Sequence, residues 1–336
     1  MIKRILSSIV FSLLGVWLLV WTIRFVGWHN IVSAFSIFNC WSGLATVLLG
    51  FLILVVGCWK WQVILKHQGY NLSFIHLIGP YVAYFSLTYL FPFILVGGEV
   101  FRSYFLKERH GVPWDKAVSS IIIDKILETT ISLVAILAGL AVFLLKIGLP
   151  PRNLSLIFAA VVLFIGIGIG FFYYITFARK SVAKYIVKFL KGKGLPDADI
   201  INIEKETFQF FRSKKKALLE VLGLSFLRVF ITGVWCWAII FFLGKSVGIV
   251  ASLSILSFYY LGLMVPIPAS IGAYEIIQAF SFDSLGLGVS LGPAFSMIQR
   301  ASELVICFGG LIIFFKLGLG LFQSSLVKKI EKLFNK

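Results

Sequence analysis

Nine ionisable side chains lie within or beside stretches of the sequence that are otherwise almost uniformly apolar. They are Glu99, Arg102, Asp124, Lys125, Glu128, Arg228, Glu275, Arg300 and Glu303. Glu99 is followed in the next apolar run by Lys125, and Glu128 comes one helical turn later. In a second copy of this pattern, Arg300 follows Glu275 at a spacing that differs by a single position, and Glu303 again comes one turn later. Since a repeat that keeps its ionisable residues needs more than a packing explanation, we take these nine as candidate substrate-binding residues.

Charged groups in an apolar segment limit the chemistry that is possible there. A charge at the centre of a bilayer costs about 2.5–3.5 kcal/mol, so such groups face a polar cavity or a partner. The lysine and the arginines suit an anionic headgroup, and arginine can bind a phosphate with two parallel hydrogen bonds. The carboxylates would hold these cations in place, receive a cationic part of the substrate, or carry protons, with Glu99, Glu275 or Glu303 as the carrier.

A purely structural role stays open for the same residues. Lys125 and Glu128 stand one turn apart on a helix, as do Arg300 and Glu303. Each pair could therefore be an ion pair that neutralises itself. Arg102 could lie at the membrane interface instead of in a site.

The composition indicates a membrane protein. Of the 336 residues, 60% are hydrophobic and 13% are charged, with a mean hydropathy of +0.99, whereas a soluble domain is about half apolar and a quarter charged. The apolar runs are long enough to cross a bilayer as helices, and they lack the alternation of barrel strands. We therefore predict an all-α polytopic membrane protein with about 6–8 transmembrane helices.

The net charge of +17 does not indicate a nucleic-acid partner, because the cations lie mainly between the apolar runs. This distribution is typical of the positive-inside rule and of attraction to anionic lipid. Basic residues at both ends of the chain predict that both termini are cytoplasmic, in a multi-pass protein of the inner (plasma) membrane. Lys60 and Lys66 are expected to mark the inner side of the crossing that starts at Ser42.

Helix-breaking residues precede both repeated glutamates, and they predict broken or re-entrant half-helices. The predicted turn residues are Pro92, Gly97 and Gly98 in the first copy and Pro266, Pro268 and Gly272 in the second. Loop charges place the first repeat, about residues 72–145, and the second, about residues 250–316, in opposite orientations. Two inverted repeats with broken helices are a recurring plan of secondary transporters, with the substrate site at the repeat interface.

Three regions follow from the distribution of charge along the chain. Residues 1–178 form an N-terminal membrane half, and residues 217–336 form a C-terminal one. Residues 179–216 contain eleven lysines and arginines and are predicted to be a basic cytoplasmic loop. A stripe of lysines from Lys180 to Lys191 predicts an amphipathic helix, either on an anionic membrane surface or as a solvated linker.

The sequence offers little for cofactor or metal chemistry. Four cysteines are scattered without a CxxC pair, and the four histidines lack ligand spacing. Asp197 and Asp199 form a lone DxD, which some sugar-nucleotide enzymes use to hold a metal, although an aspartate before Ile200 also suits a helix cap. We predict no cofactor, no metal and no catalytic residue, and a transporter-like protein more than an enzyme.

Two segments resemble a known family. Residues 96–128 read VGGEVFRSYFLKERHGVPWDKAVSSIIIDKILE, and residues 265–275 read VPIPASIGAYE. The first resembles the hallmark block of the lysylphosphatidylglycerol synthase transmembrane-region family, in which a glycine-rich turn leads to Glu and Arg, a GVP-like turn, and a helix with Asp-Arg or Asp-Lys. The second resembles that family's proline turn followed by glycine and glutamate. The resemblance covers most of the chain and implies re-entrant elements.

The resemblance also implies a function. It points to the flippase-like membrane module of the multiple peptide resistance factor proteins, which moves aminoacylated phosphatidylglycerol between leaflets. Two departures are visible: Ala269-Ser270-Ile271-Gly272 stands where a Gly-Gly is usual, and the soluble aminoacyl-transferase domain is lacking, so we expect no lysyl transfer by this chain itself. Family members without that domain are linked to other lipids, including polyprenyl-linked sugars.

These observations predict a lipid translocase for an anionic or aminoacylated phospholipid or a polyprenyl-linked lipid. Membrane lipids with anionic headgroups are the expected partners, and a separate lipid-modifying enzyme and a second copy of the chain are further candidates. Two alternatives remain. One is a membrane glycosyltransferase that acts on lipid-linked sugars, and the other is a non-catalytic partner of a lipid-modifying enzyme.

Overall fold

The computed structural model describes residues 40–90, 97–149, 152–178, 180–181, 197–264 and 272–334. All regular structure in these residues is helical. The helices are α1 (Cys40–His67), α2 (Phe74–Leu90), α3 (Gly97–His110), α4 (Trp114–Lys146), α5 (Arg152–Phe177), α6 (Asp197–Ser213), α7 (Lys215–Phe242), α8 (Ile249–Leu263), α9 (Ala273–Ser284) and α10 (Leu291–Phe334). The all-helical prediction is confirmed.

Five helices in the described part of the chain are long and apolar enough to cross a membrane: α1, α4, most of α5, α7 and the first part of α10. Their outer faces carry large apolar side chains that the described part of the chain leaves exposed, such as Trp41, Phe164 and Phe308. Lipid is the natural solvent for such a surface. The chain is therefore a polytopic membrane protein, as its composition predicts.

The two predicted helix interruptions are present. Helix α2 ends at Leu90 and α3 begins at Gly97, while α8 ends at Leu263 and α9 begins at Ala273. Both α3 and α9 are too short to cross a bilayer alone, since a crossing takes about 20 residues. The prolines predicted to cause these breaks, Pro92, Pro266 and Pro268, lie outside the described residues.

A glycine has a structural reason at each interruption. Gly98 of α3 lies so close to α2 that an added Cβ would meet the Tyr84 carbonyl oxygen and the Thr88 hydroxyl. Gly272 has a φ of 82°, a conformation that glycine adopts at little cost. Gly97 is the first residue of α3, so it belongs to the helix and not to the turn.

Helices α1–α4 and α7–α10 form two copies of one four-helix unit. The first residue of each helix in the second set follows the first residue of its counterpart by nearly the same number of residues. Glu99 and Glu275 both occupy the third position of their half-helix. The repeat is longer than the predicted segments 72–145 and 250–316, because it includes α1 and α7. Helices α1 and α7 are separated by the same number of residues as α2 and α8, so they belong to the repeat.

The two copies are inverted relative to each other. Helices α1 and α7 are equivalent, and they pack antiparallel. The indole N–H of Trp235 donates to the Thr46 carbonyl (2.8 Å) near the start of α1, and Glu220 meets His67 (2.8 Å) at its end. Equivalent helices therefore run in opposite directions, which is the arrangement expected for inverted repeats.

Each copy also packs its second helix against the last helix of the other copy. Gly310 of α10 allows contact with the Val82 carbonyl of α2, and Gly139 of α4 allows the equivalent contact with the Leu253 carbonyl of α8. An added Cβ at either glycine would overlap these atoms. The matching pair of close crossings is what a two-fold relation between the copies requires.

Helix α6 lies in the predicted basic loop and packs on the membrane helices. Phe210 and Phe211 are buried against α4, α5 and α7, where they contact Ile123, Leu127 and Phe172. This burial fixes α6 to the helical unit. The predicted amphipathic helix from Lys180 to Lys191 lies almost wholly outside the described residues, and the three predicted regions stay a prediction.

Candidate functional site

A buried ion cluster lies inside the first repeat. Lys60 of α1 is fully buried, and its Nζ lies 2.7 Å from Oδ1 of Asp124 on α4. The guanidinium of Arg102 on α3 donates from Nη1 and Nη2 to Oδ2 of the same carboxylate, at 3.2 and 3.3 Å. The interpretation of Lys60 as a marker of the membrane edge was wrong, because the buried carboxylate of Asp124 requires nearby counter-ions.

Arg102 has an aromatic lining as well as its carboxylate. Its Cζ lies 4.0 Å from the centroid of Trp61, 4.7 Å from that of Tyr84 and 4.9 Å from that of Tyr81. Cation–π contacts of this kind are strongest when water is excluded, and the Arg102 side chain is fully buried. An interfacial position for Arg102 is therefore wrong, and its place is at the centre of the first repeat.

Glu128 connects the first repeat to the second. Its Oε1 lies 2.6 Å from Nη1 of Arg228 on α7, and its Oε2 lies 3.8 Å from Nζ of Lys60. Glu128 and Arg228 are 28% and 19% exposed, in contrast to the fully buried Lys60. This pair is therefore a partly accessible edge of the ion cluster.

The predicted self-neutralising pair Lys125–Glu128 is not formed. Lys125 instead lies 3.8 Å from Oε1 of Glu99 on α3, and its Nζ lies 5.4 Å from the centroid of the Tyr84 ring. Lys125 and Glu128 thus each pair with a residue of another helix. Helix α3 brings Glu99 to Lys125, and α7 brings Arg228 to Glu128. The predicted Lys125–Glu128 pairing is therefore wrong, whereas both residues still belong to the candidate site.

The second repeat has the same inter-helix ion pair in a tighter form. Nε of Arg300 lies 2.7 Å from Oε1 of Glu275, and Nη2 lies 3.4 Å from Oε2. The backbone N–H of Gly272 also donates to Oε2 (2.7 Å) at the start of α9. In both repeats the glutamate of the half-helix pairs with the cation of the next long helix. The predicted pair Arg300–Glu303 is therefore wrong in the same way as its counterpart.

Three positions distinguish the two copies. When Glu99 is aligned with Glu275, Lys60, Arg102 and Asp124 correspond to Cys236, Gln278 and Gln299, with a shift of one position at the last of them. Gln299 accepts a hydrogen bond from the hydroxyl of Tyr274, and its Nε2 lies 3.6 Å from Sγ of Cys236. The second copy therefore has neutral side chains at the three positions where the first copy has charged ones.

The first cluster carries a net positive charge and borders a cavity between the repeats. Four cations, Lys60, Arg102, Lys125 and Arg228, meet three carboxylates, Glu99, Asp124 and Glu128. The cavity measures about 80 Å³ and is lined by α1, α4, α7 and α8. Its polar lining is Lys60, Glu128, Ser132, Ser225, Arg228, Thr232, Tyr259 and Tyr260. Such a cavity favours an anionic group over a cationic one.

Metal chemistry finds no support in the residues that the structure describes, where His, Cys, Asp and Glu form no group of three suited to a metal ion. Cys58, Cys236 and Cys307 are buried thiols without disulfides. Helix α6 begins at Asp197, and the side chains of Asp197 and Asp199 lie outside the described set.

The sequence matches a known family of membrane proteins. A family model for the lysylphosphatidylglycerol synthase TM region matches residues 5–309. The chain belongs to this family. A curated relative, the UPF0104 membrane protein MJ1595 of Methanocaldococcus jannaschii, is 20% identical over 314 residues, which cover 90% of this chain and 92% of the relative. Both ion clusters lie within the matched region.

Proposed function

We propose that this protein translocates a lipid with an anionic headgroup between the leaflets of its membrane. The observation that carries the proposal is the net positive cluster at the interface of two inverted repeats. Inverted-repeat transporters bind substrate near the bilayer midplane, where the repeats meet and helices are broken. The acyl chains would stay in lipid while the headgroup passes the cavity. An aminoacylated phospholipid and a polyprenyl-linked lipid both carry a suitable anionic group.

Arg228 is the residue that would contact the headgroup first. It lines the cavity, it is 19% exposed, and it is held by one carboxylate, Glu128. Lys60, by contrast, is fully buried and held by Asp124. An incoming phosphate can therefore share the guanidinium of Arg228 in bidentate geometry without dismantling the inner cluster.

The inverted repeat also supports a route to both leaflets. The two copies run in opposite directions, because α1 packs antiparallel on α7. Each conformation of one copy can therefore be adopted by the other copy in the opposite orientation across the membrane. Exchange of the two arrangements would open the same central cavity to either side. The inner (plasma) membrane as the location and the cytoplasmic position of both termini are part of this proposal.

The test is movement of fluorescent anionic phospholipids across liposomes that contain the purified protein. Hydrogen bonds to charged groups contribute about 1.5–3 kcal/mol, and about 1.4 kcal/mol is a factor of ten. Arg228→Gln should therefore slow translocation by a factor of roughly ten to one hundred.

Lys116→Gln is the matched control, since it removes a cation from an ion pair with Glu206 (3.8 Å) on the same protein but outside the cavity. Its rate should equal that of the unmodified protein. Equal rates for both variants would contradict the proposed role of Arg228. Failure of the folded protein to move anionic, aminoacylated and polyprenyl-linked lipids would favour the glycosyltransferase or the non-catalytic partner.

A further inference from the structure

Glu303 differs from the other candidate carboxylates. Glu99, Asp124, Glu128 and Glu275 each have a lysine or arginine nitrogen within 4 Å. Among the residues that the structure describes, none places such a nitrogen within that distance of Glu303. Its partner is a neutral group, the hydroxyl of Tyr89 on α2, to which it is hydrogen bonded. Glu303 also lies well inside the apolar span Leu291–Gly318.

The cation that the sequence suggests for Glu303 is already bound. Arg300 is one turn away, but two of its nitrogens contact Glu275 on α9. In the described residues, the second cluster thus contains two carboxylates, Glu275 and Glu303, and one guanidinium. Burial of an unpaired carboxylate in a low-dielectric region is costly, and such a group takes up a proton instead.

The groups facing Glu303 from the neighbouring helices are neutral. They are Tyr89 on α2, Tyr259 on α8, Tyr274 on α9 and Cys236 on α7, with Cys307 on α10 itself. Helix α3 reaches α10 through Phe101, whose ring lies 5.0 Å from that of Phe314. The charged residues of α1 and α3 that point inward, Lys60, Glu99 and Arg102, are engaged in the first cluster. The surroundings therefore leave Arg300 as the single cation nearby in the described structure.

We propose that Glu303 is a proton-binding site that controls the contact between the half-helix α9 and the long helix α10. With the proton on its carboxyl group, Glu303 binds Tyr89, and Arg300 stays paired with Glu275. When Glu303 releases the proton to water, it becomes a carboxylate and competes with Glu275 for the same guanidinium. Proton release then weakens the Glu275–Arg300 pair that holds α9 in place.

This proposal goes beyond lipid translocation and does not depend on it. If translocation occurs, release and uptake of this proton would couple the movement of α9 to pH. If the chain instead supports a lipid-modifying enzyme, the same site would make its conformation depend on pH.

The test uses dicyclohexylcarbodiimide, an apolar reagent that reacts with protonated carboxyl groups, on the purified full-length protein, with labelled peptides identified by mass spectrometry. Glu303 is partly exposed, so the reagent can reach it. We expect Glu303 to be labelled at neutral pH, and the label to fall about tenfold per pH unit once the carboxyl group ionises. Glu275 and Glu128 are internal controls, and as paired carboxylates they should be labelled much less at every pH.

A second variant tests the link to Tyr89 while keeping the carboxyl group. Tyr89→Phe should shift the pH at which labelling of Glu303 is half complete, because it removes the hydrogen-bond partner. Absence of label on Glu303 at neutral and mildly acidic pH would overturn the proposal, as would equal labelling of Glu303 and Glu275. Labelled Glu303 in a protein that moves no lipid would leave this inference standing and refute the proposed function.

Discussion

Replacement of Asp124 by asparagine should destabilise this protein more than almost any other single charge change. Asp124 is 1% exposed and lies 2.7 Å from Lys60 and 3.2 Å from Arg102, which are both fully buried. Removal of one partner from a buried ion pair costs about 3–5 kcal/mol, because the remaining charge stays buried without compensation. Typical native proteins are stable by about 5–15 kcal/mol, so Asp124→Asn should remove about a fifth or more of the stability.

A second substitution should return part of this loss. Lys60→Met removes one of the two stranded cations, and Arg102 still has its three aromatic rings. The double variant Lys60→Met/Asp124→Asn should be more stable than the sum of the two single changes predicts, by about 1–3 kcal/mol. The second repeat supports this expectation, since it packs Cys236 and Gln299 at the equivalent positions without charge.

The assay is denaturant unfolding in detergent, followed by tryptophan fluorescence, with the free energy of unfolding from linear extrapolation. Trp61 lies against Arg102, so one of the nine tryptophans that give the signal lies at the cluster itself. Glu220→Gln is the matched control: its ion pair with His67 lies at the surface, and exposed pairs contribute about 1 kcal/mol or less. Equal losses for Asp124→Asn and Glu220→Gln, or simple additivity in the double variant, would refute the reasoning.

Two further predictions concern packing and pH. Gly139→Leu should prevent folding, since an added side chain would overlap the α8 backbone. Gly168 has open space around it, so Gly168→Ala is the control. The yield of monodisperse protein in size-exclusion chromatography should be lost for the first variant and unchanged for the second. Burial, with the neighbouring His76 and Arg109, holds the pKa of His110 below its ordinary value of about 6.5. The unfolded chain therefore binds more protons, and stability should fall as the pH drops below about 6.5. His110→Gln should reduce this fall in melting curves recorded against pH, and an unchanged slope would contradict the assignment.

The fold was predictable in outline from local sequence properties. Long apolar runs between basic segments require helices, because a helix satisfies its own backbone hydrogen bonds in lipid. Proline and glycine before Glu99 and Glu275 marked the two interruptions. The inverted repeat was also visible, although α1 and α7 were not recognised as part of it, since their sequences share few ionisable residues.

The candidate site was predicted only in part. Its members were identified from charge in apolar surroundings, but their pairing was not. Lys60 was missed as a member because a lysine near the end of a crossing ordinarily marks the membrane edge. A signal did exist: Lys60 precedes Trp61 within an apolar run, and the interval from Lys60 to Cys236 equals the interval from Glu99 to Glu275.

The sequence by itself determined that this protein lies in a membrane, that it is helical, where two helices are interrupted and which residue types form its ion clusters. Each of these properties depends on composition or on neighbours along the chain. The tertiary structure alone decided which charge meets which. Lys125 and Arg300 pair across helices with Glu99 and Glu275, and not with the glutamates one turn away. The reason is that an ion pair depends on the packing of distant helices, which spacing along one helix does not report.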